Sequence, residues 1–226
     1  MKRWEKLPED MKTAEVRPYY DLLKKKSFSR ILKRLFDIVA SLLLIILLSP
    51  VMAVIAIWIK LDSKGPVLYK SKRVTTYNQD FMIYKFRTMV TDADKKGALI
   101  TVSGDNRITR VGKKIRSARL DEIPQLFNVF TGKMSFVGTR PEVRRYVDAY
   151  TPEMMATLLL PAGITSKASI AYRDEDQKMA RLTADGLSLD RAYIEHILPE
   201  KMKYNLDYIK EFNFLGDIVT CIKTVL

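Results

Sequence analysis

The chain has 226 residues, 47% of them apolar, and carries 39 Lys and Arg against 26 Asp and Glu, a formal net charge of +13. This length fits one domain, or one domain with an anchor, and excludes two large globular units; the charge points to an anionic partner. A single cysteine, Cys221, excludes an internal disulfide and agrees with a reducing compartment, and a single histidine, His196, excludes a histidine-based metal site.

Residues 1–29 are polar and basic, with Pro8, Pro18 and a Lys24-Lys25-Lys26 cluster. They read as an interfacial or partly disordered leader along an anionic membrane surface. Residues 30–60 read as a membrane anchor. Ile38 to Ile59 is a run of twenty-two residues without a charge, and a helix of that length rises about 33 Å, enough to cross the hydrocarbon of a bilayer. Pro50 has no amide hydrogen and its ring collides with the carbonyl of Ile46, so a kink or break is expected near Ser49. Arg30, Lys33 and Arg34 stand before the run and Lys60, Lys64 and Lys70 after it. Because both ends are basic, both prefer the cytoplasmic side, which favours a re-entrant, monotopic helix-break-helix hairpin. A kinked helix that spans is the alternative. The run starts late and lacks a small-residue cleavage site, unlike a signal peptide.

Residues 61–226 read as a small cytoplasmic domain of α+β class, rich in helix. Pro66 to Tyr69 and Phe81 to Arg87 are expected as two antiparallel strands joined around Tyr77 to Asp80. Thr91 to Ala98 and Thr101 to Arg107 read as loop and turn, and Ile108 to Arg119 as a helix. Asp121-Glu122-Ile123-Pro124 reads as the start of another helix, which Gly132 ends. Pro141 to Tyr150 and Pro152 to Leu160 are expected helical, Pro161 to Gly163 a break, and the region from Gln177 onward mostly helical. In the tail, Phe212, Phe214, Leu215, Ile218, Val219, Ile222 and Val225 form an apolar stripe at helical spacing. It would lie on the membrane as an interfacial amphipathic helix or pack on the domain.

Asp121 and Glu122 are surrounded by cations: Arg107, Arg110, Lys113, Lys114, Arg116 and Arg119 upstream and Arg140 downstream. Arginine forks read phosphate oxygens and hard divalent cations prefer carboxylate oxygen, so the pattern suits a bound phosphate anhydride with a metal. Taken alone, adjacent carboxylates at a helix start more often serve as a cap and compensate the helix dipole, here on a protein without catalysis. The basic run contains no aromatic to stack bases, so nucleic acid is not the expected partner.

Several segments, in one order, decide between these readings: Lys33-Arg34-Leu35-Phe36-Asp37, Ser49-Pro50, Gly65-Pro66-Val67, Tyr84-Lys85-Phe86-Arg87-Thr88-Met89, Arg107 to Gly112, Leu120 to Val129 and Met134 to Pro141. Over roughly residues 30–175 the chain resembles the catalytic domain of the bacterial sugar transferases, the monotopic phosphoglycosyl transferases. That resemblance implies transfer of a sugar 1-phosphate from a nucleotide diphosphate sugar, typically a UDP-sugar, to a polyprenyl phosphate such as undecaprenyl phosphate, with release of UMP. This would be a first membrane step toward a surface glycan, at the cytoplasmic face of the bacterial inner membrane. It also implies Asp121 as a nucleophile that becomes phosphosugar-aspartyl, and Glu122 as its partner carboxylate, the two holding Mg2+. Arg116, Arg140 and Arg173, with Lys85 and Arg87, correspond to phosphate contacts. Lys33, Arg34 and Asp37 share one helix face at the bilayer surface, where an Arg34-Asp37 pair would fix the anchor and receive the acceptor phosphate. For Lys33, simple charge pairing is the alternative. The segment Ala162 to Glu175 departs from the family pattern, as do Thr139 and Arg119, which leaves the sugar open. Homo-oligomerisation is also open.

Overall fold

The computed structural model describes residues 1–93, 105–172, 174–184 and 186–225. Part of the loop and turn expected between Thr91 and Arg107 therefore lies outside the described residues, as does Arg173. The fold is α+β and helix-rich.

The leader is an ordered part of the domain. Short 3-10 turns at Trp4–Lys6 and Glu9–Met11 precede helix α1 (Arg17–Lys25). Met11, Val16 and Leu23 are fully buried in the largest apolar cluster, with Leu159, Ile209 and Phe212 from distant parts of the chain. Its apolar residues thus outweigh its basic composition and place it in the core.

Helix α2 runs from Ser27 to Asp62 as one element, with Pro50 inside it. The expected division into two helices at Ser49-Pro50 is absent. Pro50 supplies no donor to the carbonyl of Ile46, and the Ser49 hydroxyl donates to that oxygen instead, at 2.8 Å. The middle of α2 faces outward, with Leu43 and Leu47 62% and 70% exposed. Its two ends are held. Arg34 and Asp37 contact the domain near the start, while Ile55 and Ile59 are buried against Phe86, Val111 and Ile115 near the finish. Asp62 accepts a hydrogen bond from the Val111 amide at 3.1 Å.

Strands β1 (Leu68–Thr75) and β2 (Gln79–Phe86) pair antiparallel, from Leu68 opposite Phe86 to Thr75 opposite Gln79. The hairpin is the one expected, with a longer first strand. Tyr77 and Asn78 turn the chain with φ of 59° and 56°. Helix α3 (Arg110–Ser117) is capped by the Thr109 hydroxyl, and α4 (Gln125–Phe130) ends before Gly132, whose φ is 79°.

A second strand pair was not expected. Strands β3 (Met134–Val137) and β4 (Ala162–Thr165) run parallel, so the chain between them must cross over. The crossover holds α5 (Arg144–Val147) and a 3-10 segment, Met154–Leu159, where two longer helices were expected. The break anticipated at Pro161 to Gly163 is therefore largely strand. A Cβ on Gly163 would sit 2.2 Å from the Gly138 amide nitrogen, so only glycine allows this approach.

Helices α6 (Lys167–Ala171), α7 (Glu175–Ala184), α8 (Leu189–Ala192), α9 (Leu198–Glu211) and α10 (Phe214–Val225) complete the chain. The apolar stripe of the tail divides. Phe212 is buried in the core, while Leu215, Val219 and Ile222 are exposed and the polar residues Asp217 and Thr220 face inward.

Candidate active site

Arg119 adopts a left-handed conformation, φ 56°, which turns the chain out of α3 and into a 3-10 turn, Leu120–Glu122. That turn presents Asp121 and Glu122 to the open end of the β1–β2 hairpin. Neither carboxylate caps α4, because the residue at its cap position is Pro124 and no side chain bonds the first turn. The capping explanation for the pair therefore fails. The turn is fixed from the other side by Asn128. Its side-chain oxygen accepts from the Tyr84 amide at 3.0 Å and its nitrogen donates to the Met82 carbonyl at 2.8 Å, docking α4 on β2.

Two of the expected phosphate contacts converge on Glu122. Lys85 Nζ, from β2, and Arg140 Nη2, which follows β3, lie 2.7 and 2.8 Å from the same Glu122 Oε1. Burial alone would raise the Glu122 carboxyl, but Arg140 and Lys85 together hold it well below the usual carboxylate range. Burial lowers the Lys85 ammonium, against the pull of Glu122. Arg140 is held more firmly charged by Glu122.

Asp121 is in a different state. It is 8% exposed, and it forms no ion pair or hydrogen bond with another side chain among the described residues. Burial raises its pKa, opposed by Lys85 and Arg116 and reinforced by Glu122. The result is one carboxylate committed to two cations beside one desolvated carboxylate with no side-chain partner among the described residues. Lys85, Arg116 and Arg140 together keep the surroundings of the two carboxylates cationic.

The other sequence-predicted residues go elsewhere. The Arg87 guanidinium donates to the carbonyls of Ser63 and Lys64, at 2.7 and 2.5 Å, and so ties β2 to the end of α2. Arg34 donates to the carbonyls of Val129 and Phe130 at the end of α4, both at 2.8 Å, and Asp37 accepts from Ser135 Oγ and the Phe136 amide. Arg34 and Asp37 are thus not a pair: each instead anchors α2 to a separate part of the domain. Lys33 is buried and bonded to the Val137 carbonyl and to Asp217, both at 2.7 Å.

Sequence reading also missed a buried network next to Arg140. Tyr193 donates to Glu142, and Lys201 Nζ lies 2.9 Å from Glu175 and 3.1 Å from the Tyr193 hydroxyl. Glu142 and Glu175 both act on Arg140 electrostatically. Glu142 adjoins the Arg140-Pro141 motif and was within reach of sequence reading; Lys201, sixty residues on, carried no local signal.

The model of the family described as bacterial sugar transferase matches residues 28–226. Among curated proteins, the chain is 38% identical over 200 residues to UDP-N-acetylgalactosamine-undecaprenyl-phosphate N-acetylgalactosaminephosphotransferase of Aeromonas hydrophila, covering 86% of this chain and 43% of that protein. It is 32% identical over 221 residues to UDP-glucose:undecaprenyl-phosphate glucose-1-phosphate transferase of Escherichia coli (strain K12), covering 96% of this chain and 44% of that one. A protein of the same name from Caulobacter vibrioides is 33% identical over 196 residues, covering 85% of this chain and 68% of its own length. The chain thus spans less than half the length of the first two of these relatives. With a family match over nearly its whole length and a site whose charges suit phosphoryl chemistry, this chain belongs to the bacterial sugar transferase family.

Proposed function

We propose that the chain transfers a sugar 1-phosphate from a UDP-sugar to a polyprenyl phosphate, and that Asp121 is the nucleophile. The relatives named for UDP-sugars and undecaprenyl phosphate support the substrate classes. The observation that carries the assignment of roles is the inequality of the two carboxylates. Glu122 is neutralised by Lys85 and Arg140, whereas Asp121 is desolvated and uncommitted.

In the first step an Asp121 oxygen attacks the phosphorus next to the sugar, and the bond from that phosphorus to the bridging oxygen breaks, releasing UMP with the bonding electrons. In the second step an oxygen of the lipid phosphate attacks the same phosphorus and returns the Asp121 carboxylate. Two steps let a soluble donor and a membrane-bound acceptor use one site in turn. Arg116 and Arg140 bind the phosphates, Lys85 holds Glu122 and keeps Asp121 ionised, and the Asn128 clamp fixes the turn that carries both carboxylates.

Asp121 and the Glu122 oxygen that Lys85 and Arg140 leave unbound, Oε2, would hold Mg2+. Among the described residues no group of three or more His, Cys, Asp or Glu converges, which fits the usual magnesium mode of one or two carboxylates completed by substrate phosphates and water. When bound, the ion would neutralise charge on the diphosphate.

The anchor reading is re-entrant, from the cytoplasmic face of the inner membrane. α2 is long and apolar enough to cross a membrane, and a straight crossing would set Ile59 about 33 Å from Asp37 on the opposite side. Both residues contact the same domain, which supports placing both ends of α2 on one face; the return would then be a bend of the one helix at Pro50 and not a break between two helices. The outward apolar residues of α10 support a seat on that surface. The test is purified full chain with undecaprenyl phosphate and a panel of UDP-sugars. At least one sugar should release UMP; release from none would contradict the assignment.

A further inference from the structure

A second cationic site lies at the other end of α4 from the catalytic turn. A cavity of about 380 Å³ opens between the start of α2, the β1–β2 turn and Lys133, lined by Lys2, Arg30, Arg34, Asp37, Tyr77 and Lys133 among others. None of Lys85, Arg116, Asp121, Glu122 or Arg140 lines it. Its single lining carboxylate, Asp37, is already engaged by Ser135 and Phe136. Its cations are not balanced. The Lys133 ammonium forms no ion pair or hydrogen bond among the described residues, and Arg30 uses only Nε, on the Leu23 carbonyl, leaving its terminal nitrogens unused. Lys2 stands over the Tyr77 ring, 4.8 Å from its centroid.

Such a concentration of unmatched charge calls for an anion. The position says which kind. Arg30, Arg34 and Asp37 lie within eight residues of Ile38, where the apolar run begins, so the cavity sits at headgroup depth once α2 enters the bilayer. We propose that this cavity binds the phosphate group of an anionic membrane lipid, one with net negative charge, at a site separate from the Asp121 centre. Arg30 and Lys133 hold the phosphate oxygens, while Arg34, fixed to the end of α4, supplies charge without moving. The inference rests on the anchor reading and not on the catalytic one, because it requires no turnover.

The test uses the full chain in detergent and follows its thermal midpoint against added dihexanoyl phosphatidylglycerol, dihexanoyl phosphatidylcholine or inorganic phosphate. Phosphatidylglycerol is expected to raise the midpoint, and the Arg30→Gln/Lys133→Gln double variant to need at least ten times more for half the effect. Asp121→Asn should respond as the unaltered chain does. An equal response in the double variant, or an equal effect of phosphatidylcholine, would overturn the proposal; inorganic phosphate acting at the same concentration as the lipid would overturn the lipid as the source. Should the double variant not fold, acetylation of Lys133 in the unaltered chain, read by mass spectrometry, decides: phosphatidylglycerol should slow it at least fivefold, and no protection would overturn the site.

Discussion

Lys33, near the start of the long apolar helix α2, forms a 2.7 Å ion pair with Asp217, on α10, and both side chains are almost wholly buried. The pair joins segments 184 residues apart. Lys33→Ala should leave the Asp217 carboxylate buried without its cation, destabilising the protein by about 3–5 kcal/mol. The paired replacement Lys33→Met with Asp217→Leu should recover most of that loss. Thermal or denaturant unfolding in detergent checks both; a mild effect of the single change would show that the pair is not what docks α10.

Asp121→Asn should abolish turnover with little loss of stability, since the side chain is near-isosteric and accepts no side-chain hydrogen bond that the amide would break. Glu122→Gln should lose both activity and stability. It removes the shared partner of Lys85 and Arg140, at a cost of about 3 kcal/mol. Measuring kcat alongside the unfolding midpoint for the two variants separates nucleophile from organiser.

The pH profile follows from the same asymmetry. Asp121 must be ionised to attack, and burial raises its pKa, so the acid limb of kcat/KM should lie above the ordinary aspartate value of about 3.9. Lys85 opposes that rise, so Lys85→Met should move the limb to still higher pH. Glu122 behaves oppositely. Its folded pKa is depressed, so the stability it contributes is present above the ordinary glutamate value of about 4.3 and is lost as pH falls below it. An acid limb that stays put in Lys85→Met would contradict the electrostatic role given to that lysine.

In the anchor, Pro50→Ala returns an amide donor to the Ile46 carbonyl and removes the need for the Ser49 hydroxyl. Part of the population should then span. With Cys221→Ser as background, Ser27→Cys and Lys64→Cys should both label from the cytoplasmic side alone in the parent, and from opposite sides in a fraction of Pro50→Ala molecules. Unchanged labelling would show that Ser49-Pro50 does not control topology.

The parts of this fold that were legible in the sequence are those fixed by near neighbours. The β1–β2 hairpin, the Asp121-Glu122 pair amid cations and the apolar α2 each announce themselves within one continuous stretch of chain. What escaped depends on distant partners. Strands β3 and β4 are four residues each and meet only because Gly138 and Gly163 let two backbones touch across the crossover. The leader reads as basic and interfacial or partly disordered, yet Met11, Val16 and Leu23 find their apolar neighbours near residues 159 and 209. Arg87 and Arg34 look like phosphate ligands by residue type, but tertiary contacts direct their forks to backbone carbonyls at helix ends. Charge pattern located the site and the family resemblance divided the roles of its two carboxylates; geometry added that Glu122 is the one tied to two cations.

That distinction can be measured directly. The full chain, incubated with its UDP-sugar in the absence of lipid acceptor and then digested, should yield a peptide containing Asp121 heavier by one sugar phosphate, and polyprenyl phosphate should discharge it. Continued formation of lipid product with no such adduct at any point in turnover would contradict the covalent role of Asp121.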